Sequence, residues 1–280
     1  MIRNICVAGA GTMGSGIALA ASQSGFPVIL FDTNSSVIDS AKKAVIKNLD
    51  FLINKNKIAP EQKESIYKRI HFTSAISDCI ADIIIEAIIE NIAAKTDLFI
   101  QLNLLNNNDC IFASNTSSLS ITSLQTALTF PERVAGMHFF NPAHIMKLVE
   151  VVKGMHTSDE VIKALTDLSI KLGKTPVVCE DAPGFIVNRV ARHYYLEAMK
   201  LVELGIATIE NVDEAMEAGG FKMGPFRLMD LIGMDINLAV SESLYIAFAK
   251  VRRLQPSQLQ IDKVHKRELG RKSGKGFYNY

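Results

Sequence analysis

His138 lies in Gly136-Met137-His138-Phe139-Phe140-Asn141-Pro142, an imidazole among apolar neighbours with a polar loop directly after it. Twelve positions on, Lys147-Leu148-Val149-Glu150-Val151-Val152 carries a carboxylate in a second apolar run. The pattern predicts two short strands, 134–140 and 147–152, joined through Asn141 to Met146, so that Glu150 comes opposite the ring. A carboxylate on one ring nitrogen fixes the tautomer and stabilises the imidazolium, leaving the other nitrogen as a general base that works near neutral pH. The alternative is an ion pair that only ties two strands together, and a lone histidine on an apolar strand is more often a satisfied core residue.

A second constellation opens the chain. Ile5-Cys6-Val7-Ala8 reads as a strand and runs into Gly9-Ala10-Gly11-Thr12-Met13-Gly14, a GxGxxG turn that begins a helix. Gly9 suits the tight turn, Gly11 a backbone approached closely by a pyrophosphate, and Gly14 a helix packed hard on its strand. The N–H groups at the helix start, around Thr12 and Met13, would face the phosphates. Asp32 follows the next apolar run, Val28 to Phe31, where a carboxylate accepts from both ribose hydroxyls and opposes a 2′-phosphate. No arginine follows it in Thr33-Asn34-Ser35-Ser36, so NAD is expected rather than NADP. A glycine-rich turn that binds nothing is the competing reading.

These groups need a scaffold, and the periodicity supplies one. A helix from Met13 to Ser24 is followed by a strand, then by two consecutive helical stretches, Ser36 to Leu52 and Pro60 to Arg69, where a simple βαβ unit has one. Ile83-Ile84-Ile85-Glu86-Ala87 reads as a buried strand, 93–105 as a helix and Cys110 to Ala113 as a strand. Thr157-Ser158-Asp159-Glu160 caps a helix to Leu172, and Thr175 to Cys179 is the last clear strand. This alternation predicts a doubly wound parallel sheet over 1–181. From Pro183 onward the pattern is helical (187–204, 212–218, 226–232 and 235–250), which predicts an all-α domain over 182–280.

Composition sets bounds. The 280 residues are 48% hydrophobic and 21% charged, ordinary for a globular protein, and the net charge of +1 gives no general attraction to nucleic acid. Cys6, Cys79, Cys110 and Cys179 are widely spaced, which suits reduced thiols rather than disulfides or metal ligands. No metal is called for. The first strand starts almost at once and the apolar runs are short, so neither a leader nor a membrane span is expected, and cytoplasm is the expected compartment.

Taken together, GAGTMG, Ser114-Asn115-Thr116-Ser117-Ser118, GMHFFNP, KLVEVV, Pro183-Gly184-Phe185-Ile186-Val187-Asn188-Arg189 and Gly270-Arg271-Lys272-Ser273-Gly274-Lys275-Gly276-Phe277-Tyr278 resemble the L-3-hydroxyacyl-CoA dehydrogenases, in particular the short single-purpose 3-hydroxybutyryl-CoA dehydrogenases. The likeness covers nearly the whole chain in order. It implies a Rossmann-like NAD domain, a CoA thioester substrate, and an α-helical second domain that lines the acyl pocket and forms a homodimer. It further implies that His138 takes the 3-hydroxyl proton, Glu150 orients it, Ser117 hydrogen-bonds the substrate oxygen near the nicotinamide, and Asn188 completes the polar pocket. Glu90, Lys95 and Asn141 are family positions near the cofactor. The doubled helices over 36–70 resemble the family's CoA-contacting arm, with Lys55 matched to its phosphate-binding lysine. Each has a plain alternative: Ser117 and Asn141 as turn residues, Asn188 as a helix cap, Glu90 with Lys95 as a solvated helix-end pair, and Lys55 as a charged helix end.

Between Ala218 and Gly224 the chain is about a residue shorter than the family pattern, so acyl-chain preference transfers least well. Two other readings stay open: a related NAD-dependent dehydrogenase of a free hydroxy acid or sugar acid, and a protein that binds NAD without catalysis. The basic tail, which includes Lys272 and Lys275 and is opposed only by Asp262 and Glu268, is either a means of attracting CoA phosphates or a solvated face.

Overall fold

The computed structural model describes residues 2–280 and forms two compact units, one ending at Ala182 and one beginning at Pro183. In the first unit the order is β1 (Ile5–Ala8), α1 (Thr12–Gln23), β2 (Val28–Phe31), α2 (Ser35–Asn54), α3 (Gln62–Lys68), β3 (Ile70–Thr73), β4 (Ile83–Glu86), α4 (Ile92–Asn103), β5 (Ile111–Ser114), α5 (Ile121–Gln125), β6 (Val134–Phe139), β7 (Leu148–Lys153), α6 (Asp159–Lys171) and β8 (Thr175–Glu180). The strands make one sheet in the order β3-β2-β1-β4-β5-β6-β7-β8. Every neighbouring pair is parallel except β6 with β7.

The two faces of this sheet can be read along single strands, because successive side chains point to opposite sides. Ile5 and Val7 of β1 join Ile83 and Ile85 of β4 in one core, under α1 and α2. Cys6 and Ala8 join Ile84, Phe112 and the Phe99 of α4 in the other. Burial on both faces explains why the central strands are continuous apolar runs with no alternation. Cys6, Cys79 and Cys110 are buried in or beside the second core as free thiols, and Cys179 is half-buried on β8.

In α2 a stripe of Ile38, Ala41, Val45, Leu49 and Leu52 is buried, and Asn34 caps its start by accepting from the Ser36 N–H. The second helix of the arm is shorter than expected, and the arm does not reach residue 70. Residues 70–73 are instead β3, paired with β2 from Val28↔Ile70 to Phe31↔Thr73. Four residues with an exposed His71 on a sheet edge leave little periodic signal, so pairing rather than propensity makes this strand. Ser158 caps α6 as its sequence predicts, accepting from the Val161 N–H with Asp159 and Glu160 in the first turn.

The second unit is helical: α7 (Val187–Glu203), α8 (Ile209–Ala218), α9 (Pro225–Ile232), α10 (Met234–Ala247) and α11 (Gln258–His265). Helix α8 begins three residues before the sequence pattern suggests, because Thr208 accepts from the Asn211 N–H and caps it. Helix α11 has only Gln260 fully buried, so its apolar periodicity is weak and the sequence reading missed it. Tyr195, Met199, Phe226, Met229 and Met234 form the core of the unit.

Two buried acids tie this unit together. Asp213 accepts from the Phe226 and Arg227 N–H groups at the start of α9 and from the Tyr278 hydroxyl. Asp230 accepts from the Phe277 and Tyr278 N–H groups, each at 2.9 Å, and from the Tyr280 hydroxyl. The tail is therefore built into the fold. Its charges are also better opposed than the sequence suggests: Asp235 lies 2.5 Å from Lys272, besides Glu268 at 2.6 Å from Lys275. Among the described residues, no helix is long and apolar enough to cross a membrane.

Candidate active site

The turn between β1 and α1 uses its glycines for two different purposes. Gly9 has φ +103°, and a Cβ there would sit 2.6 Å from the Ala87 carbonyl oxygen; a Cβ on Gly14 would sit 1.7 Å from that of Gly9. These two let strand, turn and helix close together. A Cβ on Gly11 would meet nothing within 4 Å, so the main chain faces open space there. Gly11 is also the N-cap of α1 and gives its first turn, beginning Thr12 and Met13, no side-chain acceptor and no acid. Such a helix start leaves its N–H groups to an anion.

Asp32 stands at the end of β2 with its carboxylate turned back to this turn. Oδ2 accepts from the Ala10 N–H at 2.9 Å and Oδ1 from the Asn34 N–H at 3.0 Å. Each oxygen keeps a second acceptor direction for a sugar hydroxyl. Open space over Gly11, an uncapped helix start and a fixed acid at the next strand end together fit a dinucleotide.

An ion cluster that the sequence reading only half identified lies at the ends of β4 and β5. Glu86 is fully buried; its Oε1 accepts from Lys95 Nζ at 2.6 Å and the Ile88 N–H at 2.7 Å, and its Oε2 accepts from Ser114 Oγ at 2.6 Å. Burial raises the Glu86 carboxyl above its ordinary range, although Lys95 and the hydrogen bonds oppose this. Lys95, 1% exposed, also lies 3.3 Å from Glu90 Oε2. Glu90 Oε1 collects Thr116 Oγ1 at 2.5 Å, the Ser117 N–H at 3.0 Å, and the Ser118 N–H and Oγ at 3.2 and 3.0 Å. Burial pushes the Glu90 carboxyl up, but the Lys95 charge and these donors bring it net below its usual value. Lys95 is thus buried in this network, whereas Glu90, 37% exposed, forms its solvent-facing edge, so only the lysine departs from the solvated helix-end reading. Glu86, Ser114, Asn115 and Thr116 were not singled out from the sequence as separate site residues; an acid ending a wholly apolar strand, with a lysine nine positions on, was the available clue.

On β6, His138 faces Glu150 of β7 in the antiparallel register, and Nδ1 lies 2.7 Å from Glu150 Oε2. Both are buried, at 6% and 1% exposure. The Phe140 ring lies 4.5 Å from the imidazole, centroid to centroid. Asn115 Oδ1 accepts from the Phe139 N–H at 2.8 Å, which joins the segment carrying Ser117 to the residue next to His138. Asn141 is exposed at the start of the following loop. Lys174 Nζ holds that loop by donating to the carbonyls of Ala143 and Met146 at 2.5 and 2.8 Å. Burial, with a smaller push from Lys147, lowers the Lys174 ammonium to about 8. A cavity of about 320 Å³ beside the loop is lined by Thr12, Gly16, Asn48, Phe51, Asn141 and His144, among others.

The first unit therefore gathers the glycine turn, Asp32, Glu90, Lys95, Ser117, His138 and Asn141 at or just beyond the carboxyl ends of its strands, where open α/β sheets bind ligands. Glu150 meets this group from the antiparallel strand. Lys55 is the C-cap of α2, exposed, with Nζ 5.8 Å from the Phe51 ring centroid. Asn188 is the second residue of α7 in the other unit; Ile186 occupies the N-cap, so Asn188 is not the cap that the plain alternative foresaw.

Comparison with known proteins shows the family. Residues 4–182 match the model of the 3-hydroxyacyl-CoA dehydrogenase NAD-binding domain, and residues 184–280 that of the 3-hydroxyacyl-CoA dehydrogenase C-terminal domain. The chain is 44% identical to a probable 3-hydroxybutyryl-CoA dehydrogenase of Deinococcus radiodurans, covering 98% of this chain and 99% of that one. It is 43% identical to a 3-hydroxyadipyl-CoA dehydrogenase of Escherichia coli over all of this chain, but spans only 59% of that protein's length. The crystal structure of (S)-3-hydroxybutyryl-CoA dehydrogenase PaaH1 from Ralstonia eutropha superposes with a TM-score of 0.94 at 39% identity, covering 100% of this chain and 99% of that one. The chain belongs to the 3-hydroxyacyl-CoA dehydrogenase family of NAD-dependent oxidoreductases, and its first unit carries that family's NAD-binding domain.

Proposed function

We propose that this protein interconverts L-3-hydroxyacyl-CoA and 3-oxoacyl-CoA, with short chains such as 3-hydroxybutyryl-CoA and acetoacetyl-CoA as its substrates. The observation that carries the reading is the buried His138–Glu150 pair on the same sheet as a glycine turn suited to a dinucleotide. Bound NAD supplies the hydride acceptor for C3. His138 supplies the base: with Nδ1–H directed to Glu150, the lone pair lies on Nε2, which takes the hydroxyl proton and returns it in the reverse direction. Glu150, held out of water, stabilises the imidazolium. Ser117, its main-chain N–H fixed by Glu90, donates to the substrate oxygen as charge grows there. Asn188 joins this polar set on the strength of the family resemblance.

Lys55, exposed at the end of the long arm helix, is assigned to the CoA phosphates. A homodimer through the helical unit is supported by Leu231, Ile232, Ile236 and Ile246, which remain 36–67% exposed on α9 and α10. Four free thiols suit a cytoplasmic setting. NADH oxidation with acetoacetyl-CoA beside free acetoacetate tests the substrate class. Turnover of the thioester alone is expected; equal turnover of the free acid would favour a hydroxy-acid dehydrogenase. Light scattering at micromolar concentration tests the dimer, and a monomeric mass would refute it.

A further inference from the structure

We propose that Glu86 is a positioning residue for the segment Asn115–Ser118, acting through Lys95 and Glu90. This rests on the reading that Ser117 contacts the substrate oxygen.

Glu86 sits at the root of both loops that leave β4 and β5. Its Oε1 fixes the Ile88 N–H at the start of the loop that leads to Glu90, and its Oε2 holds Ser114 Oγ, which in turn accepts from the Thr116 N–H at 3.2 Å. Its main-chain carbonyl accepts from the Asn115 N–H at 2.8 Å. The ammonium of Lys95 is shared unequally, 2.6 Å from Glu86 and 3.3 Å from Glu90. This division leaves Glu90 Oε1 to the donors of Thr116, Ser117 and Ser118.

A buried ion pair is a weak means of stabilising a fold, and apolar side chains of similar volume usually serve as well. What charge adds here is orientation. If Glu86 is neutral, the whole Lys95 charge falls on Glu90, whose carboxylate turns from the Ser117 and Ser118 N–H groups towards the ammonium. A donor displaced by about an ångström from a reacting oxygen costs about 10²-fold in rate.

Glu86→Gln keeps the shape and removes the charge. Two readouts separate positioning from bulk stability: amide hydrogen exchange in the ligand-free protein, and kcat against KM with acetoacetyl-CoA and NADH. The Ser117 and Ser118 amides should exchange at least about tenfold faster while those of β1 are unchanged, and kcat should fall about 10- to 100-fold with KM for the thioester within about threefold. Combined with Ser117→Ala, the loss in kcat should stay within about twofold of the larger single loss, since both act at one contact. Unchanged exchange with wild-type kcat, or additive losses, would overturn the proposal. If Ser117→Ala is impaired and Glu86→Gln is not, this proposal fails and the reading of Ser117 stands. If Ser117→Ala keeps wild-type kcat, the reading of Ser117 fails and takes this proposal with it. Should Glu86→Gln not fold, Ser114→Ala removes one arm of the same clamp, and about a 3- to 10-fold loss of kcat with faster Ser117 exchange is expected; wild-type values for both would overturn it.

Discussion

His138 and Glu150 are direct partners across the one antiparallel strand pair of the sheet, with Nδ1 of the ring 2.7 Å from Oε2 of the carboxylate. They are twelve positions apart, and the loop between is held by Lys174, which donates to the carbonyls of Ala143 and Met146. The dyad is thus set by register, with each side chain standing on a strand rather than on a loop, which limits how far either can drift.

His138→Ala is expected to lose about 10² to 10⁴ in kcat, the usual worth of a positioned acid or base. Glu150→Gln should lose much of the same factor, because an amide can hold the ring but cannot balance its cation. The double variant should lose little more than the worse single one. Steady-state kinetics across pH check this, and an active His138→Ala enzyme with an unchanged pH profile would send the proton elsewhere.

Asp32 should favour NADH over NADPH by at least about tenfold, or about 1.4 kcal/mol, since its charge opposes a 2′-phosphate. Because Oδ2 also holds the Ala10 N–H, Asp32→Ala should raise KM for NADH as well as narrow the gap between the cofactors. Equal efficiency of the wild type with both would contradict the assignment.

Lys174 gives a pH dependence with a definite sign. Its ammonium titrates at about 8 in the folded chain, against 10.5 for an ordinary lysine. Below pH 8 both states are protonated and the folded state bears the cost of a buried charge. Between about 8 and 10.5 the unfolded chain holds the extra proton, so this cost is relieved as pH rises. The Tm of wild type relative to Lys174→Met should therefore move in favour of wild type from pH 7 to pH 10. A constant difference would mean that the group is not depressed.

Asp230→Ala should destabilise the helical unit by about 2–4 kcal/mol, since it takes the buried acceptor from two part-buried main-chain N–H groups and from the Tyr280 hydroxyl. Thermal melts and limited proteolysis of the tail after Gly270 would report it. A Tm within a degree of wild type would show that the tail does not depend on this carboxylate.

Much of the first unit could be read without coordinates. Glycine spacing, an acid closing the second strand and wholly apolar central strands dictate a parallel sheet with a phosphate-ready helix start, because few other backbones satisfy Gly9, Gly11 and Gly14 together. The opposition of His138 and Glu150 follows from alternation along two strands joined by a short loop. What sequence could not give is whatever depends on partners far apart in the chain. The edge strand β3 exists because β2 offers it a ladder, and α11 because other helices cover its one buried face. Lys272 looked available to a ligand until folding brought Asp235, thirty-seven positions earlier, against it. The role of Glu86 was likewise hidden, since its carboxylate looks misplaced at the end of an apolar strand until Lys95, Ser114 and Ile88 close around it. Local pattern sets which backbone forms, whereas charge and hydrogen-bond satisfaction in the interior are settled only when distant segments meet.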